Sequence, residues 1–140
     1  MACRKSWKSM AVGVVAMLAS MGTAGAEDTP PGNGSGRFCG QAISGGEIVP
    51  VETHLDLQPD GKLAGTYQFR DRGEWIKGTL TEVTPTISMT KTLVWADKFG
   101  VGWLTITFDP DFGGFDGQWG VQIGANGLPW NGDLCDNATS

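Results

Sequence analysis

From Val51 onward the chain alternates apolar and polar residues with a period of two, and it is broken at short intervals by turn residues. Val51, Thr53, Leu55 and Leu57 alternate with Glu52, His54, Asp56 and Gln58. Such a pattern belongs to a strand with one buried face. Pro59-Asp60-Gly61 follows, a hairpin loop with glycine where a left-handed residue is needed. Leu63, Gly65, Tyr67 and Phe69 then face inward, Arg72-Gly73 turns the chain, and Ile76, Gly78 and Leu80 continue the inner face. Beyond a polar stretch around Pro85, a fourth strand is expected through Ile87, Met89, Leu93 and Trp95. Asp97-Lys98-Phe99-Gly100 is the next turn. Gly102, Leu104, Ile106 and Phe108 make a fifth strand, Asp109 to Gly114 turns again, and Phe115, Gly117, Trp119 and Val121 make a sixth. No segment of this region carries a helical stripe.

Glycine weakens a strand interior, so Gly65, Gly78 and Gly117 on the inner face call for a reason. The hairpin registers supply one. They set Gly65 opposite Leu55 and Leu80, Gly78 opposite Tyr67, and Gly117 opposite Ile106. Gly102 falls opposite Trp95 and Val121. Each gap faces a bulky neighbour, and inner glycines permit the bends that close a sheet. The expected fold is all-β: a small antiparallel up-and-down meander, closed or nearly closed into a barrel. It has six long strands, with one or two short ones near Cys39 and Cys135. An open sheet curled over its own core is the alternative.

The first 26 residues stand apart. Arg4, Lys5 and Lys8 precede an apolar run from Ala11 to Gly22, and Ala24-Gly25-Ala26 ends in small residues. These are the three parts of a cleaved secretory signal peptide. The run is shorter than the roughly 20 residues a membrane span needs, so no stable membrane anchor is expected. Residues 27–36 read as a disordered lead-in, 37–136 as one β domain and 137–140 as a flexible tail. Asn33-Gly34-Ser35 and Asn137-Ala138-Thr139 fit the glycosylation sequon.

Removal of the leader leaves 7 basic residues against 15 acidic ones, a formal net charge of −8. Duplex nucleic acid would be repelled. Cys3 leaves with the leader, and Cys39 and Cys135 remain near the two ends of the domain. Two cysteines in a secreted or periplasmic chain most often pair. That bridge would tie together the strands that closure brings side by side.

Catalytic signals are thin. His54, the single histidine, lies between Glu52 and Asp56 on the outward positions, where a solvated strand face or a general base are both open. Zinc needs more His or Cys than the chain has, and no metal or other cofactor is expected. Asp109 to Asp116 has oxygen ligands at alternate positions followed by glycine, but lacks the twelve-residue calcium pattern and is also an ordinary turn composition. Of the carboxylates Glu74, Asp109 and Asp116, no spacing singles out a pair.

The aromatic residues are the better lead. Tyr67, Trp95 and Trp119 fall on the inner face, Trp75 and Trp103 on the outer one. The inner three either fill a solid core or line a ligand pocket, to which each brings apolar area and one polar hydrogen. The expected partner is a small molecule, a glycan or another protein, bound without turnover. An inhibitor-type module against an exported enzyme and a carboxylate-dependent hydrolase are the alternatives.

The eleven residues Leu57-Gln58-Pro59-Asp60-Gly61-Lys62-Leu63-Ala64-Gly65-Thr66-Tyr67 also carry a resemblance. Their Asp-Gly-x-Leu-x-Gly-Thr-Tyr core is similar to the hairpin of the second and third strands in avidin-type biotin binders. The resemblance implies an up-and-down barrel of the calycin/avidin-like kind with Tyr67 in its ligand pocket. It stops at Tyr67; that family's later tryptophan-bearing strands and its aspartate near the end are not matched.

Overall fold

The computed structural model of the protein describes residues 32–123 and 126–135. The leader expected over 1–26 and the tail over 137–140 lie outside the described residues. Eight strands follow one another: β1 (Gly36–Ser44), β2 (Glu47–Leu57), β3 (Leu63–Asp71), β4 (Glu74–Glu82), β5 (Thr90–Asp97), β6 (Gly100–Phe108), β7 (Gly114–Gly120) and β8 (Leu128–Leu134). Each pairs antiparallel with the next, and β8 returns to β1, so the sheet is a closed barrel in sequence order. Closure leaves no unpaired edge.

The registers follow the pleat read from the sequence. Gly65 stands opposite Leu55 and Leu80, Gly78 opposite Tyr67, Gly117 opposite Ile106 and Gly102 opposite Trp95. The expected pairing of Gly102 with Val121 is not part of the ladder, because β6 and β7 pair only from Trp103 and Gly120 onward. Val121 lies past the strand and is exposed, as is Leu57 at the last position of β2.

Three expectations are corrected. The strands near the cysteines are full members, nine residues in β1 and seven in β8. Their inner positions include Gly40 and Gly132, which erase the apolar alternation that marks the other strands. β2 begins at Glu47 and runs through Pro50. The ladder to β3 starts only at Val51, so the proline sits where β2 has one paired neighbour. Ile87 is fully exposed in the β4–β5 connection rather than in the fourth inner face. Thr86 Oγ1 accepts from Ser88 N and Ser88 Oγ from Thr90 N, two successive hydroxyl turns that hold this backbone off the ladder. Lys91 takes the inner position instead, its ammonium donating to the Thr86 carbonyl.

The barrel is solid at one end. Phe38, Leu55, Leu63, Leu80, Leu93, Leu104 and Ile106 are fully or almost fully buried there, with Phe108 and Phe115. Phe38 and Phe115 meet edge to face at 5.3 Å. Glu82 is also buried at this end, and its Oε1 accepts from Leu63 N at 2.9 Å. Residues 32–35, within the expected lead-in, lie against the same end. The Ser35 hydroxyl accepts from Leu57 N, and Gly34 is covered by Phe108. Cys39 and Cys135 are at disulfide distance, Cα atoms 5.0 Å apart, and join β1 to the residue that follows β8. In the chain-entropy account, closing a loop of that size is worth about 4–5 kcal/mol.

Candidate functional site

An up-and-down barrel sends alternate hairpins to opposite ends. The β1–β2, β3–β4, β5–β6 and β7–β8 connections therefore share the end away from the cysteines. Three of these four are two-residue turns. Gly45-Gly46 and Arg72-Gly73 have positive φ at both positions, the primed geometry that matches strand twist. These three turns keep their part of the rim short.

Below this rim the inward side chains leave a cavity of about 330 Å³ that opens to solvent. Its wall includes Tyr67 and Phe69 from β3, Trp95 and Asp97 from β5, Trp119 from β7 and Trp130 from β8. All three residues expected from the sequence, Tyr67, Trp95 and Trp119, stand on this wall. Trp95 and Trp119 meet at right angles with centroids 5.6 Å apart, and Tyr67 meets Trp130 edge to face at 4.9 Å. Gly78 and Gly102 explain how such large rings fit on adjacent strands. Tyr67 lies over the missing side chain of Gly78, and the Trp95 indole over that of Gly102.

The polar handles differ from the expectation. Trp95 Nε1 donates to the Gly120 carbonyl at 3.2 Å, Trp119 Nε1 to that of Ile43 at 3.0 Å, and Trp130 Nε1 to Thr53 Oγ1 at 3.0 Å. The indoles are fixed in place by bonds within the barrel wall and present their carbon surfaces to the cavity. The Tyr67 hydroxyl donates to Asp97 Oδ2 at 2.6 Å, and Asp97 Oδ1 accepts from Phe99 N at 2.8 Å. Burial first, then the bond to Asp97 and its charge, push the Tyr67 phenol far above its ordinary pKa. The phenol is therefore a fixed donor, and the carboxylate is the acceptor group within the aromatic wall.

Trp130 and Asp97 escape the sequence reading. Trp130 sits in a strand whose alternation is interrupted by Gly132. Asp97 keeps the parity of Trp95, the signal that could have found it, but its neighbours Lys98-Phe99-Gly100 mark a turn.

The other candidates do not assemble. His54 is exposed on the outer face of β2, beside an open groove lined also by Glu52, Gln68 and Lys77. Glu74 is at the open rim, 3.4 Å from Lys98; Asp109 is in the connection at the other end; Asp116 is exposed on β7. In the Asp109–Gly114 turn, Asp109 O accepts from Phe112 N and Asp111 Oδ1 from Gly113 N. Among the described residues, one cluster of metal-type ligands exists, Cys39, Glu52 and Cys135, and its two sulfurs are within bonding distance of each other. On the outer face, Trp75 lies 5.1 Å from the Arg70 guanidinium, and Trp103 donates to the Gln122 carbonyl, holding the start of the β7–β8 connection. Compared with known proteins, the chain matches no protein-family model and no curated protein.

Proposed function

We propose that this is an exported binding protein whose open barrel end receives a small molecule and releases it unchanged. The observation that carries this reading is the 330 Å³ cavity walled by Tyr67, Trp95, Trp119 and Trp130. Its size falls in the range of roughly 300–1,000 Å³ typical of small-molecule sites, and so does its make-up of many apolar atoms and few polar ones. The wall is preorganised, because every indole N–H in it already has a partner, so little ordering cost is left to binding. The opposite end is solid, which confines an occupant to one mouth.

Kinship with the avidin-type barrels belongs to this proposal. It is supported by the closed eight-stranded meander and by Tyr67 on the cavity wall, where the hairpin resemblance implies it. Biotin is not part of the proposal. Export into a secreted or periplasmic setting is supported by the Cys39–Cys135 pair, which suits an oxidising compartment. A second reading, a protein-directed module such as an inhibitor, draws on the exposed apolar residues Ile48, Phe99, Val121 and Ile123 around the open end.

Tryptophan fluorescence tests the choice. The purified protein is titrated with a panel of small apolar molecules and soluble glycans. Saturable quenching that Trp119→Ala abolishes, in a variant that stays folded, is the expected result. Absence of quenching across the panel would remove the reading and leave the protein-directed one.

A further inference from the structure

The chemistry of the cavity wall narrows the occupant further, provided that the cavity takes a small molecule at all. Six aromatic side chains line a space that Asp97 faces from the end of β5, on the same inward parity as Trp95. Asp97 is part-buried. Its oxygens accept one bond each, from Tyr67 Oη and from Phe99 N, and both donors are neutral. The ion pairs among the described residues are Arg37 with Glu52 and Lys98 with Glu74; neither includes Asp97. The remaining charges on the lining are Asp71 and Arg72 at the β3–β4 turn, which are not among those ion pairs either. With two carboxylates against one guanidinium, the lining carries a net negative charge.

A carboxylate withdrawn from water costs free energy unless it is paired. Two neutral hydrogen bonds satisfy its geometry and leave its charge uncancelled. The surrounding rings add to the same field. Their faces are electron-rich, and a cation set against Trp or Tyr faces is attracted to them, most strongly where water is excluded. The donors carried by the rings, the three indole N–H groups and the Tyr67 hydroxyl, are already spent inside the wall. An anionic ligand would find no free donor among those rings, and beside Arg72 at the rim it would meet two carboxylates, Asp71 and Asp97.

We infer that the open end of the barrel binds an organic ammonium ion, a protonated or quaternary amine on an apolar body, with its charge beside Asp97 and its body between Trp95, Trp119 and Trp130. The space, at roughly 30 Å³ per water molecule, holds the equivalent of about ten waters. An amine with a single ring and a short side chain fits it, and a folded peptide does not.

Three probes with one phenethyl body and three charges test this: phenethylammonium, phenethyl alcohol and phenylpropionate, each titrated into the purified protein with tryptophan fluorescence as readout. The ammonium ion is expected to bind at least about tenfold more tightly than the alcohol, and phenylpropionate most weakly. Asp97→Asn is expected to bring ammonium and alcohol to similar affinity without weakening the alcohol. Tyr67→Phe leaves Asp97 its charge and removes one of its two neutral donors, so the preference for ammonium over alcohol is expected to rise; a preference lost in that variant overturns the inference even where Asp97→Asn does not fold. Equal or tighter binding of the alcohol or of phenylpropionate overturns the inference and leaves the cavity reading standing. So does an ammonium preference that survives in folded Asp97→Asn. Quenching by none of the three overturns both.

Discussion

Gly78→Ala is the substitution whose outcome is tied most closely to the geometry. Gly78 lies on β4 directly opposite Tyr67, and its missing side chain is the space the phenol ring occupies. A methyl group built there stands 2.5 Å from Tyr67 Cε1 and closer still to Cζ and the hydroxyl. Ordinary carbon contacts are about 3.5–4.0 Å, so the ring must move by about an ångström. That movement stretches the 2.6 Å bond from the Tyr67 hydroxyl to Asp97 beyond hydrogen-bond length. Overpacking costs about 1–3 kcal/mol, and a hydrogen bond to a charged group is worth about 1.5–3 kcal/mol. The lower backbone entropy of alanine in the unfolded chain returns about 0.4–1 kcal/mol. The net expectation is a loss of about 2–5 kcal/mol in urea denaturation followed by tryptophan fluorescence. Thr79→Ala, the exposed neighbour on the same strand, is the control and should change little. Tyr67→Phe in the Gly78→Ala background should recover part of the loss, because the hydroxyl that collides is gone. A Gly78→Ala variant as stable as the Thr79→Ala control would refute the assignment of this glycine to the space beneath the ring.

The cysteine pair, the two ends of the barrel and the lone tyrosine give further tests. Exported protein freed of residues 1–26, and so of Cys3, should resist alkylation until it is reduced, with a mass shift for two thiols afterwards, and Cys39→Ser should cost about 2–5 kcal/mol; two freely alkylated thiols in that native protein would contradict the bridge. Trp119→Ala, at a half-buried wall position, should cost less than the roughly 3–5 kcal/mol of a fully buried aromatic; Leu55→Ala in the solid end should cost about 2–5 kcal/mol. Equal losses at the two sites would mean the barrel is uniformly filled. Tyr67 is the single tyrosine, so alkaline absorbance titration reads it alone. Its folded pKa lies above the unfolded value of about 10. Its contribution to stability is therefore complete below about pH 10 and declines as pH rises beyond that. Tyrosinate should form together with unfolding, and a reversible titration near pH 10 in folded protein would show the phenol to be solvated.

The alternation between Val51 and Trp119 made the meander legible, because a register slip of one residue would turn every inner side chain outward. Gly65, Gly78 and Gly117 then fixed which strands met, since each needed a large neighbour. The legibility failed where the inner face is small or polar. Gly40 and Gly132 hid the lengths of β1 and β8, and with β8 went Trp130, whose indole N–H reaches across to Thr53. Lys91 broke the apolar pattern at the start of β5, so Ile87 was drawn into a strand that begins three residues later. Tyr67, Trp95 and Trp119 were readable as inner residues. Whether they closed on one another or stood around a space was not, since packing across a barrel depends on all eight strands at once. The occupation of the three indole N–H groups by wall carbonyls and a hydroxyl is equally a property of strand pairing that no local pattern reports.

An occupant that enters the open end must contact its aromatic wall, and the indole N–H groups report that contact. Two-dimensional NMR separates them by location, because Trp95, Trp119 and Trp130 lie on the cavity and Trp75 and Trp103 on the outer face. On addition of phenethylammonium, the three inner indole signals are predicted to shift together and saturably while the two outer ones stay in place. Shifts confined to Trp75 and Trp103, or inner signals that remain fixed for every small molecule tried, would contradict binding at this end of the barrel.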